Sequence, residues 1–212
     1  MVQPVFFHPS EFPDASAELL RQAWITRSLP AKFHYLTPIQ AHRWLAVHRA
    51  FSPSRIDPSC LATYDNLFSQ ATNTLDHGAV QLIGLGSGGG TKDTRFLDIL
   101  DSTGAPVRYV PCDASPTLAL ISTQRAQDRA PQRTIRPLVA DLNQMESLEP
   151  FWRADGPAEE RQIFSLLGMV PNLEPRSILN KIAAWAQPGD LLVISANLAP
   201  GPDYQAGCQI VL

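Results

Sequence analysis

The chain has 212 residues, 17 Lys and Arg against 20 Asp and Glu, a formal net charge of -3 and a calculated isoelectric point near 5.9, with no basic tract, which argues against a nucleic-acid partner. Its apolar runs are too short to cross a bilayer as helices, and no secretory signal is visible at the N-terminus. Cys60, Cys112 and Cys208 are isolated, odd in number and spaced for neither a redox pair nor a metal site, so reduced thiols in a cytoplasmic protein are the expectation. The first dozen residues carry Pro4, Pro9 and Pro13 and read as an arm that its aromatic residues dock onto the body. Helical patterns follow over residues 17–26 and 39–50. A third helix opens at Asp57-Pro58, with aspartate as N-cap and proline in the first turn. In it Leu61, Tyr64, Leu67 and Phe68 recur at a helical period, and the expectation is a helix that leans on the sheet edge and roofs a cleft.

From residue 80 the rhythm changes. Strands are predicted over residues 80–85, 107–112, 134–139, 162–167 and 191–196, with helices over 92–101, 115–129 and 175–186. Strands that are almost wholly apolar and separated by helix-length intervals predict an α/β fold, a doubly wound and mostly parallel sheet. An N-terminal arm and helical cap over residues 1–79 would precede a Rossmann-like core over residues 80–212. Right-handed crossovers then bring the loops after the strands to one edge.

The first of these loops is the most informative segment. Leu85-Gly86-Ser87-Gly88-Gly89-Gly90-Thr91-Lys92 follows a buried strand and opens a helix. Missing Cβ atoms admit a ligand to the main chain, and the helix offers free N–H groups. Neither a phosphate-loop pattern nor the full dinucleotide pattern is complete, because Thr91 stands at the third glycine position and Lys92 is followed by Asp93. Asp113 follows the second strand, where an acid can accept both ribose hydroxyls. Asp141-Leu142 follows the third, placed to receive an adenine amine and to cover the ring. Asn172 lies after the fourth. An NAD-dependent enzyme remains an alternative, since Asp113 would serve its ribose equally. His42 and His48 are six apart and do not share a helical face as a metal pair would, so no metal is expected.

These segments together resemble the histidine-specific S-adenosylmethionine-dependent methyltransferases that make the trimethylated histidine of ergothioneine biosynthesis. Leu29-Pro30-Ala31-Lys32-Phe33-His34-Tyr35 is similar to the family's Leu-Pro-x-Lys-Tyr-Phe-Tyr-Asp, and Phe51-Ser52-Pro53-Ser54-Arg55-Ile56-Asp57 to its Tyr-Tyr-Pro-Thr-Arg-x-Glu. The glycine segment, Tyr109-Val110-Pro111-Cys112-Asp113-Ala114-Ser115, Leu166–Leu173 and Pro188–Val193 complete a collinear set. The resemblance implies a class I methyltransferase fold and S-adenosylmethionine as cofactor. It places Gly86, Ser87 and Gly88 against the methionine part, Lys92 near its carboxylate, Asp113 on the ribose, and Asp141 and Leu142 around adenine. Tyr35 and Asn172 would hold a small amino acid or amine, histidine first among them. No general base is assigned, because methyl transfer from a sulfonium is mainly a matter of alignment.

Four departures stand out. The family's acid at the end of the first strand is Gly84 here, its threonine after the lysine is Asp93, its Tyr-Asp pair is Tyr35-Leu36, and its Asp-Leu-x-Lys is Asn197-Leu198-Ala199-Pro200. The chain ends at Leu212, where the family continues into a substrate domain. A fragment, a shortened relative with another acceptor, and a noncatalytic binding or regulatory module are the readings left open.

Overall fold

The computed structural model describes residues 4–76, 78–147, 156–157 and 159–196. Cys208 and the Asn197–Pro200 segment lie outside them. Six strands form one sheet: β1 (Phe6–Phe7), β2 (Val80–Leu85), β3 (Val107–Asp113), β4 (Leu138–Val139), β5 (Arg161–Leu167) and β6 (Leu191–Ser195). Among the described residues seven helices surround it: α1 (Pro13–Thr26), α2 (Pro38–Phe51), α3 (Pro53–Ile56), α4 (Pro58–Asn73), α5 (Thr91–Asp101), α6 (Pro116–Arg129) and α7 (Pro175–Trp185). All of them except α5 open on proline in the first turn, which is where much of the chain's proline goes.

The strand order is β1-β4-β3-β2-β5-β6, and every pairing is parallel. After the edge strand β1, the chain takes the centre with β2, winds outward through β3 and β4, then crosses back to β5 and β6 on the other side. This is the doubly wound α/β arrangement predicted, with its switch point between β2 and β5. A ligand crevice forms at such a switch point, outside the strand C-termini.

Because side chains alternate across the sheet, each strand feeds two cores. Ile83, Leu85, Val110, Cys112, Phe164 and Leu166 face α7, where Ile178, Ile182 and Trp185 cover them. Val80, Leu82, Tyr109, Ile163 and Val193 face the other way, under Phe68 of α4, Phe96 and Leu97 of α5 and Ala126 of α6. Phe68 and Phe96 stack at 4.4 Å. Burial on both faces explains why these strands read as unbroken apolar runs.

Two expectations change. The predicted strand over residues 134–139 is only Leu138–Val139, preceded by one isolated bridge between Tyr109 and Ile135. Pro137 lacks the N–H that a longer ladder would need. The third helix does not roof the cleft: Tyr64 and Phe68 pack α4 onto a face of the sheet. The cover comes instead from α2 and from the turn Ala31–His34 before it. The N-terminal arm docks as an edge strand, Phe6 and Phe7 pairing with Leu138 and Val139. No helix among the described residues is long and apolar enough to cross a membrane.

Candidate cofactor and acceptor site

The glycine loop leaves β2 in a tight bend, with the N–H groups of Gly86 and Ser87 both donating to the Cys112 carbonyl at 2.9 Å. Gly86 has φ +73° and Gly88 φ +55°, backbone that side chains rarely adopt. Space is equally short. A Cβ on Gly86 would lie 2.5 Å from the Met169 Cγ, and one on Gly88 3.0 Å from the Trp44 ring. On Gly89 it would come within 2.5 Å of Leu45. The glycines therefore let helix α2 sit on the loop as well as exposing main chain to a ligand. The Ser87 hydroxyl is buried in this loop without a hydrogen-bond partner among the described residues.

Asp113 ends β3 beside the loop. Its Oδ2 accepts from the Gly88 N–H and its Oδ1 from the Ser115 N–H, both at 2.9 Å. Burial pushes its carboxyl up to about 6 against the pull of those two N–H groups, with Asp93 adding to the rise. Each oxygen keeps lone-pair capacity for a further donor.

Asp141 follows β4 and is tied to the cap. Its Oδ2 pairs with Lys32 Nζ at 3.2 Å, and the same ammonium donates to Glu11 Oε1 at 3.0 Å. All three side chains are at most 7% exposed. The Asp141 N–H donates to Ser10 Oγ at 3.1 Å. Leu142 is buried beside it. Above them stands Tyr35, whose hydroxyl is pushed up to about 12 by burial and by the charges of Asp113 and Asp141, so it stays a proton donor at neutral pH.

Tyr35, Gly86, Gly88, Asp113, Asp141, Leu142 and Asn172 line a single narrow cavity of about 70 Å³. Ser87 and Lys92 line its neighbour, of about 390 Å³, which shares Gly86, Gly88, Trp44, Met169 and Asn172 as a common wall. Lys92 donates to the Leu167 carbonyl at 3.2 Å and lies 5.1 Å over the Tyr64 ring. Asn172 closes a short turn after β5 and is exposed, its amide 3.9 Å from the Met169 sulfur. The residues singled out by sequence thus meet along one sheet edge, divided between two adjoining cavities.

Sequence reasoning missed the cover. Trp44 and Lys32 reach the cleft only because the cap folds back over it, and nothing in helical periodicity announces that. Met169 stands within the glycine-proline turn after β5, a position from which its role as the shared wall was readable. His48 stacks on Trp44 at 4.9 Å and is pushed down to about 4 by burial and the nearby Lys92 and Arg55. Among the described residues no group of His, Cys, Asp and Glu could hold a metal ion.

A family model described as histidine-specific methyltransferase, SAM-dependent, matches residues 45–204, well over half of the chain. Solved structures with a similar fold include magnesium protoporphyrin IX methyltransferase from Synechocystis PCC 6803 with bound S-adenosylhomocysteine, at 14% identity and TM-score 0.48, over 72% of this chain and 65% of that one. The mitomycin 7-O-methyltransferase MmcR matches at 16% identity and TM-score 0.47, over 94% and 60% respectively. The cyclase SpnF matches at 18% and 0.47, over 65% and 47%. The chain thus covers about half to two thirds of the length of these structures. No curated protein matches the sequence significantly.

Proposed function

The chain belongs to the histidine-specific S-adenosylmethionine-dependent methyltransferase family, and from that premise we propose that it is an N-methyltransferase acting on a small amino acid or amine, with histidine the leading candidate. Its cofactor is S-adenosylmethionine, and the residues present fit that molecule. The observation that carries the reading is the joining of Gly86, Gly88, Asp113, Asp141 and Leu142 with Tyr35 and Asn172 around one cavity.

In this reading Asp113 accepts the two ribose hydroxyls, its carboxylate held in place by the Gly88 and Ser115 N–H groups. Asp141 receives the adenine amine and Leu142 covers the ring. Gly86 and Gly88 admit the methionine part to the main chain, and the unpartnered Ser87 hydroxyl and the Lys92 ammonium lie along that end. The cavity of about 70 Å³ adjoins one of about 390 Å³ across Gly86 and Gly88, and in this reading the cofactor extends through both.

The bound cofactor supplies an electrophilic methyl group on a sulfonium. The protein's part is to align the acceptor lone pair behind that carbon and to exclude water. Tyr35 donates a hydrogen bond from its protonated hydroxyl, and the exposed Asn172 orients the acceptor from the opposite loop. A cytoplasmic setting belongs to the same proposal and is supported by the free thiols of Cys60 and Cys112.

The test is an incubation of purified protein with labelled methyl donor and a panel of amino acids and amines, with mass detection of product. Transfer to a panel member, abolished by Asn172→Ala with donor binding retained, is the expected result. A folded, donor-binding protein inert across the panel would overturn the assignment of acceptor class.

A further inference from the structure

We propose that the Asp93 carboxylate, carried on helix α5, forms the anionic wall of the methionine end of the cleft and receives the α-ammonium group of the cofactor there, standing where a carboxylate on residue 84 would otherwise stand. The inference rests on the cofactor placement above and concerns one charged group within it.

Gly84 is the penultimate residue of β2, with strands on both sides. A Cβ built on it would lie 2.1 Å from Asp93 Oδ2 and 3.0 Å from the Asp93 carboxyl carbon. The Asp93 carboxylate therefore fills the volume that any side chain at position 84 would need. The two departures from the family pattern, glycine for an acid at 84 and aspartate for threonine at 93, become one change: the acid has moved from strand to helix. Asp93 is held rigidly, at 4% exposure. Its Oδ2 accepts from the Tyr109 hydroxyl at 2.7 Å and its Oδ1 from Ser165 Oγ at 3.2 Å, while Tyr109 is braced by Ser122 at 2.8 Å. Each oxygen retains acceptor capacity.

Its surroundings say what that capacity meets. Asp93 is the one acidic residue among those lining the larger cavity, where it faces the glycine loop and Ser165. Arg55 and Lys92 line the same cavity, and the buried Arg55 Nε has no hydrogen-bond partner among the described residues. Two cations and one carboxylate around one space complement a zwitterion: the cations take an α-carboxylate and Asp93 takes the α-ammonium. Burial pushes the Asp93 carboxyl up to about 6, against the pull of Tyr109, Ser165 and Lys92. An ammonium beside it adds to the counter-charge that Lys92 supplies from a distance.

Calorimetry with the unmodified protein is the first arm, comparing S-adenosylhomocysteine with its deaminated analogue, in which hydrogen replaces the α-ammonium. The analogue is expected to bind at least about tenfold more weakly, as for loss of a charged hydrogen bond. In Asp93→Asn that discrimination shrinks towards unity, while methylthioadenosine, which lacks the amino-acid end, binds as to the parent protein. The transposed variant Gly84→Asp with Asp93→Thr regains the discrimination. Equal binding of the two ligands by the unmodified protein overturns the inference, as does an Asp93→Asn variant that weakens methylthioadenosine as much as S-adenosylhomocysteine. Failure of the unmodified protein to bind S-adenosylhomocysteine at all overturns the cofactor placement itself and is distinguishable from both. Should Asp93→Asn not fold, Asp93→Ser takes its place, with the same outcomes read.

Discussion

The sheet and the cap that covers its C-terminal edge are held by different forces. All six residues of β2 are buried, and the strands around it feed two apolar cores. In the cap, α1 buries only Ala23 and α2 only Ala41, while Trp24, Ile39 and Phe51 are largely exposed. What fastens the cap is a small set of contacts at the cleft: Lys32 between Glu11 and Asp141, Ser10 on the Asp141 main chain, and Trp44 and Leu45 against glycines of the loop. Hydrophobic burial scales with area and sets global stability. The cap's few contacts, placed directly on candidate ligand groups, set access to the cleft. Substitutions in the two regions should therefore fail in different assays.

The largest effect is expected in the sheet. Phe164→Ala removes a fully buried ring from the core under α7 and should cost about 3–5 kcal/mol of global stability, read from the denaturant midpoint. Cofactor affinity of the remaining folded molecules should change little. A large loss of affinity at unchanged stability would break the division between the two regions.

Lys32→Met tests the cap. It leaves two buried carboxylates, Glu11 and Asp141, without their cation, a penalty of about 3 kcal/mol or more. The cap can relieve that penalty by lifting while the sheet stays folded. Hydrogen exchange should accelerate over residues 9–35 and S-adenosylhomocysteine should bind more weakly, with strand amides unchanged. Equal acceleration in β2 and β5 would show that cap and sheet open as one unit.

The same contrast decides what could be read from sequence. Strand β2 falls at the predicted bounds, and α4 starts at its Asp57 cap, because periodicity and capping are local signals. Gly86, Gly88, Asp113, Asp141, Leu142 and Asn172 could be placed together because a parallel sheet sends every strand's C-terminal loop to one edge. Strand β1 is only two residues between Pro4 and Pro9 and has no period of its own; it becomes a strand by pairing with β4. Trp44 over Gly88 and Lys32 on Asp141 depend on how the cap docks, which is tertiary information. The nearness of Gly84 and Asp93 was visible only as two separate departures until their coordinates showed a shared volume.

A smaller effect comes from pH. The folded-state carboxyl of Asp113 is raised from the ordinary 3.8 to about 6, so its contribution to stability is fully present below 3.8 and is lost as pH rises through 6. Asp93 shifts in the same direction to about the same value. Ligand binding has the opposite sign, because ribose hydroxyls favour the ionised Asp113. S-adenosylhomocysteine affinity should rise between pH 5 and 7 and then level off, and Asp113→Asn should reduce that rise to the part that Asp93 supplies, as calorimetric titrations across this range would show. An affinity that falls as pH rises through 6 would contradict the ribose assignment.

The smallest effect is expected at Trp24→Ser on α1, a side chain that is 88% exposed. The shift should stay within about 0.5 kcal/mol, measured as the thermal midpoint at several protein concentrations. A larger, concentration-dependent shift would show that this face of the cap is buried against another molecule.

The central claim is that the C-terminal edge of the sheet holds the adenosyl cofactor through Asp113. Its most direct test is calorimetric titration of S-adenosylhomocysteine, with NAD in parallel, into the unmodified protein and Asp113→Ala. S-adenosylhomocysteine should bind the unmodified protein in preference to NAD, and the substitution should weaken it by about 1–3 kcal/mol, roughly 5- to 150-fold, through loss of the paired ribose hydrogen bonds. Preference for NAD, or S-adenosylhomocysteine affinity unchanged in a folded Asp113→Ala variant, would contradict the account.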